Sequence, residues 1–148
     1  MPLPEAAPAR AQPQLAPGPG AVDVILRDGR TLRLRAAVGE DVPRLVEFFN
    51  GLSPNSLYLR FHGVVRVDEA LARQFVALDW NERGSLVGML DDRVVCLGSW
   101  ARLREPRTAE AAFVVADELH GQGIGTRLLE RLAAVAAEVG RASCRERV

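Results

Sequence analysis

The stretch ADELHGQGIGTRLL, from Ala116 to Leu129, places glycines at alternate positions between a run of strand-forming residues and an amphipathic helical segment. Gly121, Gly123 and Gly125 remove every second side chain from the turn, which opens its backbone amides to an anion. The helix that follows brings the positive end of its dipole to the same place. Just upstream, AEAAFVV from Ala109 to Val115 carries a single carboxylate, Glu110, in an otherwise apolar strand. A strand, an anion-binding turn and a helix therefore form the centre of whatever fold this chain adopts, with a candidate base nearby.

Spacing separates the glycine-rich phosphate loops that compete for this turn. A dinucleotide fingerprint, G-x-G-x-x-G, requires a third glycine where the chain has Thr126 or Leu128. A P-loop requires lysine followed by Ser or Thr, and the sequence contains no lysine at all. His120-Gly121-Gln122-Gly123-Ile124-Gly125 instead resembles the pyrophosphate loop of the GNAT family of N-acetyltransferases, Q/R-x-x-G-x-G/A, with His120 where the family more often has Gln or Arg. That departure is mild, because such a turn binds mainly through main-chain groups.

The rest of the chain reads in a compatible order. Residues 1–20 hold six of the nine prolines among Ala, Gly and Gln, too little apolar surface to fold, and are expected to be a disordered tail. The same prolines interrupt any apolar core that a signal peptide needs. From Val22 to Ala37 two short runs flank Asp28-Gly29, which predicts a hairpin. Pro43, after Glu40 and Asp41, predicts a first helical turn, and Leu45, Val46, Phe48 and Phe49 form an apolar stripe ending near Gly51. Ser53-Pro54 caps a second helix through Leu59, and Asp68 opens a third to about Ala77. Meander strands are expected over Ser85–Leu90, Val94–Ala101 and Thr108–Val115. The final helix starts near Gly123 and buries Leu128, Leu132, Val135 and Val139. This order predicts one mixed α/β domain, a mostly antiparallel sheet flanked by helices.

Composition excludes several other functions. Formal charge is balanced, 19 cations against 19 anions, so there is no electrostatic footprint for nucleic acid. No apolar run is long enough for a membrane span and no metal-ligand cluster appears. Trp80 and Trp100 read as core or rim aromatics. The lack of lysine, with abundant Ala, Arg, Gly, Val and Pro, suggests a gene of high GC content and a bacterial source. The last residues, RASCRERV, are polar and basic and break the preceding pattern. They resemble read-through of a sequencing adapter, so Arg141–Val148 is expected to be a non-native tail. Cys96 is then the domain's own cysteine, which points to a reduced, cytoplasmic protein and an inert buried thiol.

The GNAT resemblance covers about Val22 to Gly140 and implies an incomplete N-acetyltransferase domain, residues 22–140, with its last strands missing. It implies acetyl-CoA as co-substrate, with no metal. Main-chain groups near Val114 and Val115 would pair with the pantetheine arm. The pyrophosphate would rest on the turn from His120 and Gly121 through Gln122, Gly123, Ile124, Gly125 and Thr126, with Arg127 adding charge at the rim. Alternation places Glu110 on the face of Ala112 and Val114, an apolar setting suited to a general base. LSPNSLYLRFHG and VILRDGRTLRLRAA further resemble the acetyltransferase domains of bacterial protein lysine acetyltransferases. That likeness implies a protein lysine acceptor, such as the catalytic lysine of an acyl-CoA synthetase, with Tyr58, Arg60 and His62 near the acceptor. Leu57, Leu59 and Phe61 are expected to pack inward. The alternative is a non-catalytic acyl-CoA-binding regulatory module that keeps the turn without the chemistry. A chain ending after the glycine-turn helix would lack one wall of the family's cleft, and it is expected to be inactive and poorly soluble.

Overall fold

The computed structural model describes residues 15–143. The hairpin forms as expected: β1 (Val22–Ile25) and β2 (Thr31–Ala36) pair antiparallel, with Val24 opposite Leu32. Its loop closes through Leu26 N to Arg30 O at 2.8 Å, and Gly29 takes a φ of 89°. Three helices follow, α1 (Val42–Asn50), α2 (Pro54–Phe61) and α3 (Glu69–Arg73). The expected caps are present, since Ser53 Oγ accepts from Ser56 N at 3.1 Å and Asp68 Oδ1 from Leu71 N at 2.9 Å. The third helix is shorter than its sequence pattern. Beyond Arg73, tighter bonds such as Phe75 N to Ala72 O carry the chain on, and Ala77 turns left-handed at φ 54°.

The meander strands β3 (Arg83–Leu90), β4 (Arg93–Arg102) and β5 (Ala109–Val115) complete a five-stranded sheet in the order β1-β2-β3-β4-β5, antiparallel throughout. The last helix, α4, spans Ile124–Ser143. It buries Leu128, Leu132 and Val135, while Val139 is partly buried. The fold is the expected mixed α/β arrangement of an antiparallel sheet and helices. It continues α4 three residues past the boundary drawn at 140, and residues 144–148 of the expected tail lie outside the described residues.

Alternate residues of β4 show how the layers form. A Cβ on Gly98 would come 2.8 Å from Leu128 Cγ, so glycine lets α4 settle close to the sheet. Its neighbour Ser99 points to the opposite face, where Arg60 of α2 reaches it. Rings of Phe49, Phe61 and Phe75 meet at 5.7–6.3 Å between centroids, which joins α1, α2 and the segment just after α3 on that face. Part of the N-terminal tail also docks. Ala16 N donates to Asp79 Oδ1 at 3.2 Å, Trp80 N donates to Ala16 O, and Gly20 O accepts from Arg131. Residues 1–14 of that tail lie outside the described residues.

Candidate active site

The glycine turn is built between two anchored ends. Leu119, at the end of a short 3-10 turn after β5, and Ile124, at the start of α4, are both buried. Between them Gly121 and Gly123 hold φ of 86° and 79°, a left-handed backbone that favours glycine. Nothing lies within 4 Å of where either would carry a Cβ, so conformation and not crowding demands glycine there. Gly125 differs: it sits within α4, and a Cβ on it would come 2.8 Å from the Phe113 ring. Arg127 N bonds Gly123 O at 3.2 Å as the helix starts, which leaves the amides before it open to a ligand.

A cavity of about 570 Å³ lies against this turn. Of the residues singled out from sequence, Val114, Val115, His120, Gly121, Gly123, Ile124, Gly125 and Thr126 line it. Gln122 and Arg127 do not. The Gln122 side chain holds a buried Oε1 with no hydrogen-bond partner among the described residues, and Arg127 is exposed beside Glu130 at 3.7 Å. The cavity gains Ser56, Leu59 and Arg60 from α2 and Arg27 from the β1–β2 loop. Arg27 Nη1 donates to Gly121 O at 3.0 Å, which puts a guanidinium directly on the glycine turn. Sequence inspection missed Arg27, because the contact spans 94 positions and nothing local marks it.

Two devices fix the turn against its neighbours. Asp117 accepts from Ser53 N at 2.8 Å and from Ser56 Oγ at 2.6 Å, tying the start of α2 to the turn. The Ser56 hydroxyl, with the Ser53 amide, holds the Asp117 carboxyl below its ordinary value. On β5, Ala116 N bonds Val95 O, and Val115 stands opposite Cys96. Antiparallel alternation therefore turns the main-chain groups of Val115 and Phe113 away from β4, and those of Val114 toward it. The outward Val115 carbonyl oxygen lies 3.1 Å from His120 Nε2, which donates in the tautomer protonated there.

Glu110 lies apart from this cavity. The β4–β5 register runs unbroken from Val115 to Ala109, so Glu110 shares the face of Ala112 and Val114 as expected. Its apolar setting is not observed, however. Glu110 is exposed, because it sits near the start of β5, an edge strand among the described residues. It lines a second cavity, of about 280 Å³. Arg60 lines both cavities. Its Nη2 donates to Ser99 Oγ at 2.8 Å, and its guanidinium lies over the Phe61 and Phe75 rings at 5.0 and 5.5 Å. Burial pushes its pKa down, opposed by the charge of Glu110.

The remaining expectations for α2 divide. Leu57 and Phe61 pack against the core, whereas Leu59 is 63% exposed at the cavity rim, a correction to its expected inward packing. Tyr58 is exposed, and His62 closes α2 in a left-handed conformation at φ 56°. Cys96 is buried, and burial pushes its thiol up to about 12. Among the described residues no group of three or more His, Cys, Asp or Glu side chains is placed to hold a metal ion. No described helix is long and apolar enough to cross a membrane.

Residues 47–147 match the model of the acetyltransferase (GNAT) family. The chain belongs to the GNAT family. This GNAT chain is 30% identical over 120 residues to acetyltransferase PA5475 of Pseudomonas aeruginosa, covering 78% of the chain and 64% of that protein's length. Among solved structures, the GNAT domain of S. lividans PAT aligns with a TM-score of 0.75 at 33% identity, over 81% of this chain and 73% of that one. The fold is shared more widely. Salmonella typhimurium yncA, a structure with its cofactor acetyl-CoA, aligns with a TM-score of 0.56 at 23% identity, over 74% and 65% of the two chains.

Proposed function

We propose that this GNAT chain carries out N-acetyl transfer from acetyl-CoA to a primary amine, and that the acceptor is a lysine side chain of a protein. The observation that carries the reading is the 570 Å³ cavity, which joins the left-handed glycine turn to the outward main-chain groups of β5. The turn and the start of α4 offer amides to a pyrophosphate, with Arg27 adding a cation. The Val115 and Phe113 backbone offers donors and acceptors to an extended amide-bearing arm, as an unpaired strand edge does. The lysine acceptor is supported by the resemblance of LSPNSLYLRFHG and VILRDGRTLRLRAA to the acetyltransferase domains of bacterial protein lysine acetyltransferases.

In this reaction the acceptor nitrogen attacks the thioester carbonyl carbon, the carbon–sulfur bond breaks, and CoA leaves as its thiolate, which takes up a proton. The amine must be uncharged to attack. Glu110, on the face of β5 turned toward α2, accepts its proton, and holding the amine beside the thioester makes the attack effectively unimolecular. Exposure of Glu110 favours one competing reading, a module that binds acyl-CoA without turning it over. A thiol-release assay with acetyl-CoA and lysine-containing peptides separates the two. Glu110→Gln should lower kcat about 10²-fold or more, the usual worth of a positioned base, while CoA still binds. CoA binding by the unaltered protein with no thiol release on any amine would establish the binding module instead.

A further inference from the structure

The second cavity holds a cation that has no ion-pair partner among the described residues and feels the charge of Glu110 without pairing to it. Arg60 is half-buried, yet among the described residues no carboxylate lies within ion-pair distance of it. It is held in place by the Ser99 hydroxyl and by two phenylalanine rings, and its Nε is buried with no hydrogen-bond partner among the described residues. A partly desolvated guanidinium without a counter-ion is costly unless a ligand supplies one. The same cavity is lined by Glu110 on β5, and by Ser85, whose buried hydroxyl is also without a partner among the described residues.

Register brings Glu110 and the anchor of Arg60 to neighbouring places on one face of the sheet. Ser99, which anchors Arg60, stands opposite Ala112 on β5, and Glu110 lies two residues before Ala112 on the same face. The backbones of such diagonal strand neighbours are about 7–8 Å apart, within reach of long side chains. A cation and a carboxylate lining one cavity match a molecule that carries both an amine and a carboxylate, with a hydrogen bond at each end.

We propose that Arg60 receives a carboxylate which the acceptor carries close to its reacting amine, so that this cavity selects acceptors bearing both groups. The carboxylate is either the acceptor's own, as in a free amino acid, or that of an acidic side chain next to a lysine. This rests on Glu110 facing the amine, as proposed above.

The test uses matched acceptors with acetyl-CoA in a thiol-release assay. One pair is a lysine peptide flanked by Glu against the same peptide flanked by Gln; the other is 4-aminobutyrate against butylamine. The wild-type protein should favour the carboxylate member of at least one pair by about tenfold in kcat/KM, mainly through KM. In Arg60→Gln that ratio should fall to near one, and Arg60→Lys, which keeps the charge, should retain part of it. A wild-type ratio near one in both pairs overturns the proposal. So does a ratio that persists in Arg60→Gln, which would leave Arg60 with a packing role only. Absence of turnover in both pairs overturns it too. Failure of the lysine reading looks different: both peptides would be silent while the small pair still discriminates.

Discussion

Gly123 and Gly125 make different demands on the chain, and substitution separates them. Gly123 is left-handed at φ 79° with open space around its Cβ position, so a β-branched residue there strains the backbone that presents the amides. Gly123→Val is expected to weaken CoA binding at least tenfold, through a strain of about 1–3 kcal/mol. Gly125→Ala meets only the far edge of the Phe113 ring, which is 43% exposed and free to move, so it should change CoA affinity by less than threefold. Titration calorimetry with CoA reads both, and equal losses would show that the turn's conformation is not what binds. Arg27 is expected to act as a charge on the same turn. Arg27→Gln should weaken CoA several-fold at low salt and less at high salt, since an exposed cation is screened. Salt-independent loss would assign Arg27 to holding the loop through Gly121.

At the level of elements, α2 is steered by the turn it faces. Asp117 bonds the Ser53 amide and the Ser56 hydroxyl, and these groups sit at the N-terminus of the helix that carries Leu59 and Arg60 into the cavities. A carboxylate there also complements the helix dipole. Asp117→Ala should therefore loosen the first turn of α2 without unfolding the sheet. Faster hydrogen exchange of amides 56–59, with the β3 and β4 amides unchanged, is the expected result. Unaltered exchange in α2 would mean that its packing through Phe61 alone holds it. The pairing is also acid-sensitive in a defined sense: the Asp117 pKa is lowered by folding, so what it contributes is present above the ordinary carboxylate value and lost as pH falls below it.

For the whole molecule, the buried charge that matters is Asp41. It joins β2 to the start of α1, accepting from Arg35 through two bonds of 2.7 Å, from Val38 N at 2.8 Å and from Arg44 at 3.2 Å. Burial alone pushes its carboxyl up, but the Arg35 and Val38 bonds outweigh it and leave the carboxyl below its ordinary value. The folded pKa is lowered, so this stabilisation is fully present above the unfolded carboxylate pKa and disappears as pH falls through the folded one. Asp41→Ala is expected to cost roughly 2–4 kcal/mol near neutral pH, below the upper range for a broken buried pair because the Arg35 side chain remains 25% exposed. Denaturant melts at pH 7 and pH 3 should show the difference from wild type shrinking in acid. A constant difference would mean that packing, not ionisation, makes Asp41 important.

What the sequence determined by itself was local. Asp28-Gly29, the Ser53 and Asp68 caps, Pro43 and the glycine spacing each act within a few residues, so element order and the place of the glycine turn were readable from residue type and period alone. The strand-by-strand face of Glu110 was readable too, since alternation needs only an unbroken register. Tertiary structure decided what stands around those residues. Glu110 is exposed because β5 is an edge among the described strands, and strand pairing is not encoded in strand periodicity. Arg27 reaches Gly121 across 94 positions and Arg60 reaches Ser99 across 39, so the cations of the site emerge only when the hairpin loop and α2 close over one end and one face of the sheet. Such contacts depend on how far two elements are brought together in space, and the short-range pattern of a chain carries no measure of that distance.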